Sequence, residues 1–252
     1  MKRKLFVIAL MLLASGTLLA QGVFSIHFGG AFPMGGFGAS DMDKGKCTLF
    51  NNVADYGGAD VGFDLGVKAI VPILPVEGLS MIFNVEFMLN GLNDDVKDYF
   101  DDLRDFYEDI YGSCDDITMS KYINIPVMLG LNYAYAVSPT FKLYGEASLG
   151  VNERAITKTK VVIGDSDGTK YESSYDVATT FAYQAGVGFV VNDKFSIGLH
   201  YYGLGAHKVE GKSTTSGTAH YSIGDMPTYE HADIKSKDIA PTILLLQLGF
   251  SL

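Results

Sequence analysis

Tryptophan is absent from the chain, and cysteine occurs only as Cys47 and Cys114. Two thiols leave room for one bridge at most, so a disulfide framework is excluded. Bases are scarce: 19 Lys and Arg stand against 29 Asp and Glu, for a formal net charge of −10. That balance excludes a nucleic-acid binder, which needs a basic surface. Beyond residue 20 no apolar run reaches the roughly 18 residues of a transmembrane helix. Any membrane role must then be carried by strands, because in lipid only helices and closed barrels satisfy every backbone group.

The start of the chain is the basic exception. Met1, Lys2, Arg3 and Lys4 precede the apolar run Leu5 to Leu13, and small residues follow at Ala14, Ser15 and Gly16. These features read as a signal peptide over 1–20, cut after Ala20, with 21–252 as one outer-membrane β-barrel domain. No cysteine follows the cut, which speaks against a lipoprotein anchor. Losing Lys2, Arg3 and Lys4 takes the charge from −10 to −13.

What the remainder has is period-two alternation, eight times over. Phe24, Ile26 and Phe28 alternate with Ser25 and His27; Phe63, Leu65 and Val67 with Asp64 and Lys68; Phe83, Val85 and Phe87 with Asn84 and Glu86. The pattern returns near 119–133, from 141, up to 190, from 194, and over 242–252. Connections alternate strictly between short (72–78, 134–140, 191–193) and long (33–59, 91–118, 153–178, 205–240). The expected fold is all-β: an eight-stranded antiparallel up-and-down barrel, with tight turns at one rim and long external loops at the other. A soluble ligand-binding barrel would share the alternation, but its polar face would meet water and carry many charges. Here that face has one or two charges per strand among Gly, Ser, Asn and Tyr, which suits a crowded barrel interior. Tyr133, Phe141, Phe195 and Phe250 fall near the short turns, where an aromatic girdle belongs.

Several phrases resemble the PorT-like outer-membrane β-barrel domain family of Bacteroidetes. Tyr122-Ile-Asn-Ile-Pro126-Val-Met-Leu-Gly130 is similar to its aromatic-x-x-Ile-Pro strand, and Phe195 to Leu204 to its late Tyr-Gly-Leu strand. The tail Ile243 to Leu252 is similar to its last strand. The chain departs from the family at His200, where Arg is usual, and at its final Leu252 in place of an aromatic. The resemblance implies a place and a fold rather than one activity.

Six ionisable residues fall on the inward face: His27, Asp64, Lys68, Glu86, Glu146 and His200. In a narrow interior they must pair, forming a polar network in the lumen. Residues 93–116 hold ten acids and two bases, and Val96, Tyr99, Phe100, Leu103, Phe106 and Tyr107 recur at helical spacing. An amphipathic helix is expected there. Its stripe packs on the other loops or docks an envelope partner, in which case Tyr99, Phe100, Leu103, Phe106 and Tyr107 would make the contact. Cys47 and Cys114 sit in the first two long loops and could bridge there. Asp165-Ser-Asp-Gly168 reads as a hairpin turn rather than a calcium loop. Pro126 removes a ladder donor mid-strand, so a local defect is expected. His207, His220 and His231 match no metal spacing. No metal or cofactor site, and no catalytic residue, is expected.

These features point to an outer-membrane barrel in a structural or interaction role, accessory to an envelope complex, with its lumen plugged by side chains. Its expected partners are outer-membrane lipid, the assembly machinery and an envelope protein reached through the acidic loop. The rival is a narrow channel for ions or small solutes, kept open by the inward charges. A lipid-acting enzyme is disfavoured, because the outward face offers no histidine.

Overall fold

The computed structural model describes residues 22–40, 57–111, 114, 116–163, 169–216 and 232–252. The proposed leader, Cys47, residues 165–168, His220 and His231 lie outside them, so the leader and the disulfide are not addressed by the fold.

Eight strands close into a barrel: β1 (Val23–Met34), β2 (Gly62–Pro72), β3 (Leu79–Asn90), β5 (Tyr122–Ser138), β6 (Phe141–Ile156), β9 (Ala178–Val191), β10 (Phe195–Gly203) and β13 (Thr242–Ser251). Each pairs antiparallel with the next barrel strand along the chain. β1 and β13 zip the seam from Ser25↔Ser251 to Met34↔Thr242.

Alternation decides what faces where. Phe28, Leu65, Leu129, Leu149, Phe181 and Val187 point outward and are each more than half exposed. The residues between them turn inward and are buried. Tight turns hold the register. Asn192 (φ 52) and Asp193 (φ 57) both take the left-handed conformation, and the Lys194 amide closes the turn on the Val191 carbonyl at 3.1 Å. Asn and Asp tolerate that conformation better than other side-chain-bearing residues.

Pro126 leaves the expected mark. On its β6 side Pro126 pairs with Asn152 without interruption. On the β3 side the ladder skips from Val85↔Val127 to Met88↔Asn124 and resumes in the same register.

The long loops depart from expectation. They are not merely connections: β4 (Asp116–Thr118), β7 (Thr159–Ile163), β8 (Thr169–Tyr175), β11 (His207–Ser216) and β12 (Ala232–Ile239) form a second sheet in the order β12-β11-β8-β7-β4. β7 and β8 pair antiparallel from Thr159↔Ser173 to Ile163↔Thr169. The predicted helix is α1 (Asp94–Tyr111). Asn93 caps it, its Oδ1 accepting from the Val96 amide at 3.2 Å, and Asp94 and Asp95 complement the helix dipole in the first turn.

The helix buries its stripe within the chain. Val96 and Phe100 join Leu92, Phe37, Val161 and Ile163 in one core, with Leu103 and Tyr107 packed against it. Phe100 is thereby enclosed within the chain, against the docking contact expected for it from sequence, while Leu103 and Tyr107 are partly buried. Ordering the helix costs about 1–2 kcal/mol per residue in backbone entropy, and this burial is what offsets it. Of the five, Tyr99 and Phe106 remain on the surface.

Candidate functional site: the barrel lumen

The lumen has two unlike halves. Toward the long loops, Met88, Met128, Tyr122, Tyr202, Ile243 and Leu245 fill it, each 1% exposed or less. They belong to the same core as the helix and the second sheet. The Arg154 guanidinium caps this plug between the Tyr122 and Phe37 rings, 4.9 and 5.4 Å from their centroids. Flat guanidinium faces favour such stacking.

Toward the short turns many of the inward residues are small, among them Ser25, Ala134, Ala136, Ser196 and Gly198, with Tyr144 and Lys142 the larger ones. They leave a cavity of about 750 Å³, whose lining includes the turn residues Pro72, Gly78 and Asp193. Lys68, Glu146, His27 and His200 form its inner end. The barrel is thus a blind well.

All six inward charges predicted from parity are buried in this lumen. Lys68 Nζ, from β2, donates to both oxygens of Glu146 on β6, at 2.8 and 2.9 Å. Glu146 also accepts from Gln184 Nε2 at 2.9 Å and Asn132 Nδ2 at 3.3 Å, and His200 Nδ1 lies 3.1 Å away. Ser148 Oγ steadies Gln184 by donating to its Oε1 at 2.6 Å. Tyr144 stacks on the His200 ring. His27 Nε2 lies 2.8 Å from Glu86 Oε1, which also receives Asn84 Nδ2 at 3.1 Å and the Tyr202 hydroxyl at 3.2 Å. Asp64 is the outlier: its one hydrogen-bond donor among the described residues is the neutral Gln247 amide, on Oδ2.

Glycine makes room for these groups. A Cβ at Gly66 would collide with Glu86 Oε2, and one at Gly186 with the His200 ring. The network expected from sequence left out Tyr202, Gln184 and Gln247, although alternation set them on the inward face, and it missed Arg154 altogether. Inward parity was the available signal. For Arg154 it required extending the strand past Asn152.

The outer surface is the inverse of a soluble barrel's. Its apolar belt, from Phe28 and Leu65 round to Phe181 and Phe250, is far larger than a water-exposed patch can be. A closed barrel with an even number of strands, an apolar exterior and long loops at one rim belongs in the bacterial outer membrane. This chain is an outer-membrane β-barrel.

No family model matches the chain, and neither does any curated protein. Solved structures do. The attachment invasion locus protein Ail of Yersinia pestis, in complex with the heparin analogue sucrose octasulfate, is 14% identical. That alignment covers 92% of this chain and 99% of Ail, with a TM-score of 0.40. The outer membrane protein OprG of Pseudomonas aeruginosa is also 14% identical, over 92% of this chain and 96% of OprG, at a TM-score of 0.45. Neisserial surface protein A is 12% identical, over 92% and 97%, at 0.38. These are likenesses of fold.

Proposed function

We propose that this barrel is a sealed scaffold which holds an interaction surface outside the membrane and conducts nothing. The observation that carries the reading is the packed loop-side half of the lumen, which runs without a break into the core beneath the external sheet and helix. A pore would need a water path where Met88, Met128, Tyr202 and Leu245 close on one another. The short turns then face the periplasm, and the well opens on that side.

The surface offered to an envelope partner narrows to one exposed line of α1. Asp95, Tyr99, Asp102, Phe106 and Asp109 recur every three or four residues and are all exposed. Alternating acids and aromatics suit a cationic segment, through ion pairs and cation–π contacts. Kinship with the PorT-like barrels belongs to this proposal too, supported by the Ile-Pro phrase lying on β5 and the Tyr-Gly phrase on β10. A non-enzymatic role is supported by the inward direction of His27 and His200, which leaves no described histidine side chain on the lipid face.

The rival is a narrow channel, favoured by the well and its charged inner end. Planar-bilayer recording of the refolded protein separates the two. The scaffold gives no steady unitary current. Currents abolished by Glu86→Ala or Lys68→Ala would establish the channel instead.

A further inference from the structure

At one place in the lumen, acceptors outnumber donors. Glu146 is fully provided for by Lys68, Gln184, Asn132 and His200. Glu86 collects three donors on Oε1. Yet Glu86 Oε2, Asp64 Oδ1 and Asn84 Oδ1 are all buried and meet no hydrogen-bond partner. The three residues are 1% exposed or less. Asp64 and Glu86 are diagonal neighbours across the β2–β3 ladder, since Asp64 pairs with Met88 and Gly66 with Glu86. Gly66, lacking a side chain, leaves the space in which Glu86 Oε2 lies.

Two ionised carboxylates cannot share a dry site without a cation or a proton between them. Every charged or titratable neighbour is accounted for. β1 supplies His27, β2 Lys68, β5 Tyr122, β6 Tyr144, Glu146 and Arg154, and β10 His200 and Tyr202; β5, β9 and β13 add the amides Asn124, Asn132, Gln184 and Gln247, and the Arg154 guanidinium is held between the Tyr122 and Phe37 rings. Lys68 is committed to Glu146, and His27 to Glu86. The cavity does not reach Asp64, Asn84 or Glu86, and no metal-ligating group of three His, Cys, Asp or Glu forms among the described residues. A proton is the ligand that fits without room.

We propose that Asp64 is a neutral carboxylic acid in the folded barrel, holding a proton that supplies the missing donor to this cluster. Asp64 carries it rather than Glu86, because only a neutral amide donates to Asp64 whereas Glu86 has His27, Asn84 and Tyr202. His27 touches both the well and Glu86, so the proton exchanges through His27 with the turn-side rim. In an unfolded chain Asp64 ionises near pH 3.9. Folding therefore takes up one proton, and the folded-to-unfolded ratio falls about tenfold per pH unit as pH rises above that value while the acid holds its proton.

Infrared spectroscopy of the barrel in phosphatidylcholine vesicles reads the acid directly. At neutral pH the wild type should show a protonated-carboxyl band that Asp64→Asn removes. Asp64→Asn, the neutral isostere, should assemble normally and lose the tenfold-per-unit slope in urea unfolding. In His27→Gln the band should exchange with deuterium more slowly than in wild type; equal exchange would overturn the relay. Absence of the band, equal pH slopes, or failure of Asp64→Asn to assemble would overturn the protonated acid.

Discussion

Replacing Lys68 by Met is the sharpest probe of the interior. Lys68 is 7% exposed, and its ammonium is the one fixed cation beside Glu146. Met keeps most of the stem and removes the charge, leaving a carboxylate with neutral amides and His200. Breaking a buried pair by removing one partner costs about 3–5 kcal/mol, because the survivor is stranded. The Gln184 and Asn132 amides remain on Glu146, so the loss should sit near the lower end, about 3 kcal/mol. Replacing the pair together, Lys68→Met with Glu146→Gln, removes the stranded charge and should return the barrel to within about 1 kcal/mol of wild type. Urea unfolding in lipid vesicles, followed by heat-modifiable migration on gels, measures both. A single variant costing under about 1 kcal/mol, or a double variant worse than the single, would refute the claim that this contact is a desolvated ion pair.

Four further outcomes follow from the geometry. Leu129→Arg, mid-strand and facing lipid, should cost about 2–4 kcal/mol by the same unfolding measurement. Phe100→Asp should leave heat-modifiable migration unchanged but make the loops protease-sensitive, since Phe100 is buried between α1 and the second sheet. Phe106→Asp, on the exposed line, should preserve protease resistance and weaken crosslinking to a partner in native membranes. Glu172 should titrate below the usual carboxylate range of about 4, because its hydrogen bonds to Lys158 and then Lys170 favour the charged form. That contribution is present above the ordinary value and is lost as pH falls through the lowered one, a sequence of events that carboxyl NMR would follow.

The barrel was legible because its strands are long and its two faces meet opposite solvents. Phe83, Val85 and Phe87 against Asn84 and Glu86 admit no other register. The second sheet was not legible. β7 has five residues, and β8 and β11 are Ser, Thr and Lys stretches such as Glu172 to Ser174 and Lys212 to Ser216, with little contrast between faces. The helix stripe was plain in the 3–4 spacing, but its burial was not, because what covers Phe100 includes Val161 and Ile163, some sixty residues away. Parity told which charges enter the lumen. It could not tell which would meet, since Lys68 and Glu146 are 78 residues apart and strand stagger brings them level.

The β1–β13 seam has a consequence for time rather than for structure. Thr242 to Ser251 follows the other seven barrel strands along the chain and pairs with β1, so those seven alone leave the cylinder open. Until it docks, β1 and β10 each present a free row of backbone amides and carbonyls, and free rows recruit foreign strands. Gln247, which serves Asp64, also arrives only then. Closure and completion of the interior are therefore one event, and a chain stalled before residue 242 is an open sheet with two adhesive margins.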